Sequence, residues 1–356
     1  MKLTILSRYG RLGASSRLRT LQYVPYLEKV GFQVEVLPFF SDQYLIDLYD
    51  GQRRPLAVAE ALVRRLKQLK AARNSDLVWI EKESLPWLPW KLESLLLDQR
   101  IPFISDYDDA VFHRYDQHKL QAIRSILGTK IGEIMGASKL VTAGNEYLAE
   151  KANSAGAPAI KIVPTVVDVT AYNTTRKPPL DGFQRIGWIG TPGTWKEYGV
   201  PMMPTLNHLT ALYNAKIRTV GAGKAATPAV NLEVLPWSED TEVSLIQTMA
   251  VGIMPLNDSS WSRGKCGYKL IQYMACGVPV VASPVGVNSS IVDHGVNGYI
   301  AETDEDWEIY IGRLLSDPDL SARMGLEGRK KVEQKYSIQL WGPEIAKTFH
   351  SLALNK

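Results

Sequence analysis

Residues 265–283 read Lys265-Cys-Gly-Tyr-Lys-Leu-Ile-Gln-Tyr-Met-Ala-Cys-Gly-Val-Pro-Val-Val-Ala-Ser283. The spacing predicts a helix entered through Gly267, stopped by Gly277 and followed at once by a buried strand over 279–282. Leu270, Ile271, Met274 and Ala275 give the helix an apolar face at 3.6-residue spacing. Its expected opening turn carries Lys265 and Lys269. Cations there oppose the positive end of the helix dipole at a cost of about 0.3–1 kcal/mol. Lysines and free backbone N–H groups at one helix entrance make physical sense if the site holds an anion such as a phosphate or pyrophosphate. The alternative is that both lysines simply reach into solvent.

Working outward, 356 residues are too many for one ordinary core and suit two α/β domains. A hydrophobic content of 45% with 22% charged residues is that of a globular protein, and a formal charge of +4 is too small to argue for nucleic acid. Only two cysteines are present, Cys266 and Cys276, so no disulfide framework is implied and a reducing, cytoplasmic compartment is expected. No apolar run approaches the ~20 residues needed to span a bilayer. The first residues, Met1-Lys-Leu-Thr-Ile-Leu-Ser-Arg8, read as a strand.

Short apolar runs alternate with helical patterns throughout. Strands are expected over 3–7, 33–38, 77–81, 103–106, 140–143 and 160–163, with helices such as 57–70 and 121–135 between them. A stretch rich in Asn, Thr, Pro and Asp over 168–183 reads as a linker. The pattern restarts with strands over 185–189, 216–220, 231–235, 251–255, 278–282 and 298–301, and helices over 320–335 and 338–354 close the chain. Such alternation implies two doubly wound, Rossmann-like parallel sheets with a cleft between them, ligands lying beyond the carboxyl ends of the strands.

Several loops carry chemistry. Gly190-Thr-Pro-Gly-Thr-Trp-Lys196 is a glycine-bearing turn between strand and helix, able to bring backbone N–H groups and Lys196 to a phosphate. After the first strand, Gly10 and Gly13 form a turn, Ser15 or Ser16 can cap the next helix, and Arg17 and Arg19 suit phosphate or carboxylate. Asp106-Tyr-Asp-Asp109 follows another strand. Mutual repulsion of its three carboxylates points to a role beyond packing. The readings are sugar or acceptor contact by Asp108 or Asp109, a metal site, or a helix cap. Asn145 caps a helix or lines the cleft, and Arg263 offers a further phosphate contact. The five histidines show no metal-ligand spacing, and His113 lies near the aspartates. A helix bearing Arg64, Arg65, Lys67, Lys70 and Arg73 presents either a solvated basic face or a face for anionic lipid.

The run Gln272-Tyr-Met-Ala-Cys-Gly-Val-Pro-Val-Val-Ala-Ser283, then Gly286 and Asn297-Gly298, resembles the signature of the group-1 glycosyltransferases of the GT-B fold. The resemblance extends over most of the chain. Those enzymes usually read Glu-x7-Glu-Ala-Met-Ala-x-Gly-x-Pro-Val, and the two glutamate positions are Gly264 and Gln272 here. It implies a retaining transfer from a nucleotide-diphosphate sugar to an acceptor hydroxyl of a glycan or lipid-linked acceptor, with no metal or other cofactor. It implies an acceptor-side domain over 1–168 joined by the last helix, 337–356, and a donor domain over 169–336. Expected donor contacts are Gly13, Gly190, Thr191, Lys196, Arg263, Lys265, Tyr268, Lys269 and Gln272. Asp108 and Asp109 are the expected catalytic pair, with Arg17, Arg19 and Asn145 on the acceptor side. The loss of both glutamates leaves two alternatives, a non-catalytic nucleotide-sugar-binding subunit and a sugar-nucleotide epimerase or phosphorylase on the same fold.

Overall fold

Twelve strands of the described residues form two sheets, each of six strands and each parallel at every pairing. The computed structural model describes residues 1–354 apart from Arg53, Asp98, Gln99, Arg176 and Pro178. The first sheet comprises β1 (Lys2–Leu6), β2 (Gln33–Val36), β3 (Leu77–Glu81), β4 (Phe103–Tyr107), β5 (Leu140–Ala143) and β6 (Ile160–Ile162), in the order β2-β1-β3-β4-β5-β6. The second comprises β7 (Gln184–Ile189), β8 (Ala215–Val220), β9 (Leu232–Leu235), β10 (Val251–Met254), β11 (Val280–Ala282) and β12 (Gly298–Ile300), in the order β12-β11-β10-β7-β8-β9. Central strands β3, β5 and β10 are buried at every residue, whereas the edge strands β2 and β6 are not. Helices covering both faces of a parallel sheet produce that contrast.

The chain divides into two units. The first is Met1–Thr165 with Arg263–Cys266 and Ile338–Lys356, and the second is Val166–Ser262 with Gly267–Ser337. In the first, the closing helix Ile338–Leu354 sets Phe349 edge-on against Trp79 of β3, centroids 4.8 Å apart. In the second, the helix Tyr268–Ala275 is buried over most of its circumference, Leu270 to Ala275 being within 3% exposure. Each fully buried side chain of that size contributes about 1.5–3 kcal/mol. Tyr273 anchors it to the end of β7 by accepting the Ile189 N–H at 2.9 Å.

Four expectations are corrected. The stretch 168–183 is not an unattached linker: Arg329 donates to the carbonyls of Val169, Tyr172 and Ala275, Tyr172 is buried, and chain packing assigns Val166–Ser262, which includes the stretch, to the second unit. Arg176 and Pro178 of that stretch lie outside the described residues. The helix expected over 121–135 is two, Gln121–Leu127 and Lys130–Ala137, and the break turns Lys130 inward to Glu83 and Glu93, both 2.7 Å away. The basic face of the helix Pro55–Ala72 loses one member, since Arg65 is buried on the carbonyls of Leu37 and Ser7, while Arg64, which donates to that of Phe39, is exposed. Arg73, just past the helix, donates to the Leu96 carbonyl, which leaves Lys67 and Lys70 as its exposed lysines. Finally, Lys265 and Cys266 precede the helix that begins at Tyr268. Among the described residues no helix is long and apolar enough to cross a membrane.

Candidate functional site

Each sheet reverses its strand order once, between β1 and β3 in the first and between β7 and β10 in the second. In doubly wound sheets, ligands bind outside the carboxyl ends of the strands at such a reversal. The loops that follow these strands are the candidates.

In the second unit β7 runs into Gly190 and Thr191. A Cβ on Gly190 would lie 2.7 Å from the Trp188 ring and 2.9 Å from Cε of Lys269, so only glycine lets the lysine cross this turn. The Lys269 ammonium sits over Trp188, 5.4 Å from the ring centroid. Gly267 starts the helix in the left-handed region, φ 67°, where a side chain would also strike Ile291. The structure therefore brings Gly190, Thr191 and Lys269 together. Thr191 spends its polar groups locally: its N–H donates to Oγ1 of Thr194 at 3.1 Å in a capping box. Lys196 is exposed on the next helical turn.

Beside them lies a network that the sequence did not reveal. Gln272 Nε2 donates to the Tyr172 hydroxyl at 3.4 Å, which donates to Glu242 Oε1 and stands 3.4 Å from the Tyr268 hydroxyl. Trp237 Nε1 donates to Glu242 Oε2 at 2.6 Å. Gln272, Tyr172 and Glu242 are all buried. Burial, with Tyr268 and Glu242 alongside, lifts the Tyr172 phenol well above its usual range.

In the first unit the aspartate cluster is not a set of repelling anions. Each carboxylate faces a cation. Asp106 receives both Nε and Nη2 of Arg19, at 3.0 and 2.7 Å, plus the Thr142 hydroxyl at 2.6 Å. Asp108 Oδ1 meets Lys82 Nζ at 2.7 Å, and Asp109 Oδ1 meets Lys265 Nζ at 3.2 Å. Burial alone would raise Asp108, but Lys82 and Arg19 hold it down at about 2. Among the described residues no group of three or more His, Cys, Asp or Glu is arranged to hold a metal ion.

Several expected site residues have structural work here. Arg19 is fully buried between Asp106 and the Val163 carbonyl. Asn145 caps the helix Glu146–Ser154 through the Leu148 N–H and donates to the Lys265 carbonyl at 3.1 Å. Arg17 Nη1 donates to the Arg11 carbonyl at 3.0 Å, and Gly13, whose Cβ would strike Tyr9, precedes the helix Ala14–Arg19. Arg263 is exposed and Lys265 is turned to Asp109, and both pack with the first unit rather than in the opening turn of the second unit's helix. His113 is held between Asp116 at 2.9 Å and the Tyr147 hydroxyl at 2.7 Å. Gly264 abuts Ala110, where a Cβ would lie 2.7 Å from the Ala110 nitrogen, so no glutamate fits this backbone.

Sequence reasoning passed over Glu81-Lys82-Glu83, although three consecutive charges starting at the last residue of a buried strand were a visible signal. All three are buried. Glu81 Oε2 accepts the Arg8 N–H and the Ser16 hydroxyl at 2.8 and 2.6 Å, and Glu83 pairs with Lys130. Lys82 has φ 65°. A non-glycine residue in that region costs on the order of 1–3 kcal/mol and collects at functional sites.

Comparison with known proteins agrees with this architecture. The solved structure of HepE from Anabaena in complex with UDP superposes with a TM-score of 0.69 at 16% identity, covering 99% of this chain and 100% of that one. Sucrose-phosphate synthase from Thermosynechococcus elongatus gives 0.71 at 13% identity over 100% of both chains. The fold is that of the GT-B glycosyltransferases. Residues 186–317 match the family described as Glycosyl transferases group 1. The human alpha-1,3/1,6-mannosyltransferase ALG2 is 38% identical over 74 residues, 20% of this chain and 17% of that protein. The capsular polysaccharide biosynthesis glycosyltransferase CapM of Staphylococcus aureus is 26% identical over 146 residues, 39% of this chain and 38% of that protein.

Proposed function

We propose that the chain is a glycosyltransferase of glycan or polysaccharide biosynthesis, moving a sugar from a nucleoside-diphosphate donor to an acceptor hydroxyl with retention of configuration. The observation that carries this reading is the junction of Gly190 with Lys269 at the strand-order reversal of the second sheet. An ammonium held over a glycine turn suits a diphosphate, and it stabilises the charge that develops on the leaving group. Within this reading the leaving phosphate accepts the acceptor's proton. Asp108 and Asp109 then orient the acceptor, and no side-chain base or metal is required. UDP is the first nucleotide to test, because HepE was solved with it.

One observation favours the non-catalytic alternative. The backbone at Gly264 leaves no room for the first family glutamate, and Gln272 is already bonded to Tyr172. A donor panel separates the readings. Calorimetry with UDP and other nucleoside diphosphates should show binding, and UDP-sugars should release UDP in the presence of an acceptor panel. Binding without release in any combination would establish the binding subunit. With a working pair, Asp108→Asn or Asp109→Asn should slow transfer at least tenfold, about 1.4 kcal/mol of barrier, with donor affinity within about threefold.

A further inference from the structure

We infer that Lys82 is the positioning residue of the first unit's site, its ammonium fixing the Asp108 carboxylate in the orientation that meets an acceptor hydroxyl. The inference rests on the glycosyltransferase reading. Among the described residues only Lys82 and Trp87 are non-glycine residues with positive φ, and both lie on the loop that follows β3. That loop leaves the sheet at its strand-order reversal, beside the turn that follows β1. Glycine would take the same backbone conformation without strain. What glycine would lose is the ammonium, which reaches Asp108 Oδ1 at 2.7 Å and Ser15 Oγ at 3.2 Å.

The surroundings fix both partners. The Lys82 N–H donates to the Asp106 carbonyl at 2.9 Å, locking the loop to β4. Glu81, one residue earlier, ties the same loop to Arg8 and Ser16 after β1. The Lys82 side chain is 7% exposed and that of Asp108 13%; the Oδ1 that meets the lysine is itself buried, so the exposure Asp108 keeps lies on the rest of its side chain. A strut needed only for packing would not require a left-handed side chain and a partly open aspartate at the place where such sheets bind ligands. Burial would lower Lys82, but Asp108, Asp109 and Glu81 raise it above its ordinary range. The groups facing Asp108 are Lys82, Arg19 and Ser15, with Asp109, Glu81 and Cys266 close enough to interact. With Lys82 removed, burial and the neighbouring carboxylates drive Asp108 upward. The acid limb of the rate profile then moves to higher pH.

The test compares wild type with Lys82→Gly, Asp108→Asn and the double variant. Melting is measured first. The double variant removes the left-handed side chain and the charge pair together, so it should melt at or above wild type. Melting more than about 5 °C below wild type would make the pair a structural strut and overturn the inference. UDP affinity by calorimetry should stay within about threefold across the set. UDP release from the donor selected by the panel should fall at least tenfold in Lys82→Gly, with its acid limb shifted upward. An unchanged rate and profile in a folded Lys82→Gly would also overturn the inference while leaving the glycosyltransferase reading intact. If wild type turns over no donor, that reading fails, and the melting result alone decides whether the pair is maintained for a ligand or for stability.

Discussion

Replacing Gln272 by the glutamate that group-1 glycosyltransferases usually carry at this position should harm this protein, and the harm should grow with pH. The Tyr172 hydroxyl has one proton, and it goes to Glu242. Its oxygen then accepts from the amide of Gln272 at 3.4 Å, in a position only 3% exposed. An ionised carboxylate at 272 cannot donate. It faces the lone pairs of Tyr172 with Glu242 one bond beyond, and both its burial and that neighbour push its pKa upward. The unfolded chain ionises it near the ordinary glutamate value of about 4.3. The folded state therefore binds the proton more tightly, and stability falls as pH rises above that value, by up to about 1.4 kcal/mol per pH unit until the folded pKa is passed. The protonated carboxyl can donate to Tyr172 in place of the amide, so Gln272→Glu should melt close to wild type near pH 5. At pH 8 the lost donor and the buried charge should cost about 1–3 kcal/mol. For a unit of this size that lowers the melting temperature by about 2–4 °C per kcal/mol. Differential scanning calorimetry from pH 5 to 8 reads the effect, and UDP titration should show no gain in affinity. Equal melting at pH 8, or a loss independent of pH, would refute the network.

Three further outcomes follow from the site. Lys269→Ala should weaken UDP by about 1.5–3 kcal/mol, roughly ten- to 150-fold in Kd, and unchanged calorimetric affinity would remove the anion assignment. Arg19→Met strands Asp106 in the interior and should cost about 3–5 kcal/mol in denaturant melts, whereas Arg19→Met with Asp106→Leu should recover most of it. Turnover should survive EDTA, since the aspartates already face Arg19, Lys82 and Lys265, and loss with Mn²⁺ rescue would show a metal at this cluster.

The order of strands and helices was legible along the chain because apolar periodicity is a local property. The twelve expected strands appear within two residues of their observed ends, and the signature helix sits between Gly267 and Gly277. The glycine turn at 190 and the lysine at 269 were legible as residue types, since a turn and a charge announce themselves in sequence. Which charges meet was not. Asp106, Asp108 and Asp109 looked like mutual repulsion because their cations, Arg19, Lys82 and Lys265, come from 87, 26 and 156 residues away along the chain. Likewise Gln272 looked like a depleted glutamate position until Tyr172 and Glu242 stood beside it. Local sequence determines which segments are helix and strand, because those choices rest on neighbours three or four residues apart. Only the tertiary structure decides which carboxylate is paired and which side chain is hidden, because burial and a partner a few ångströms away outweigh anything local sequence can encode.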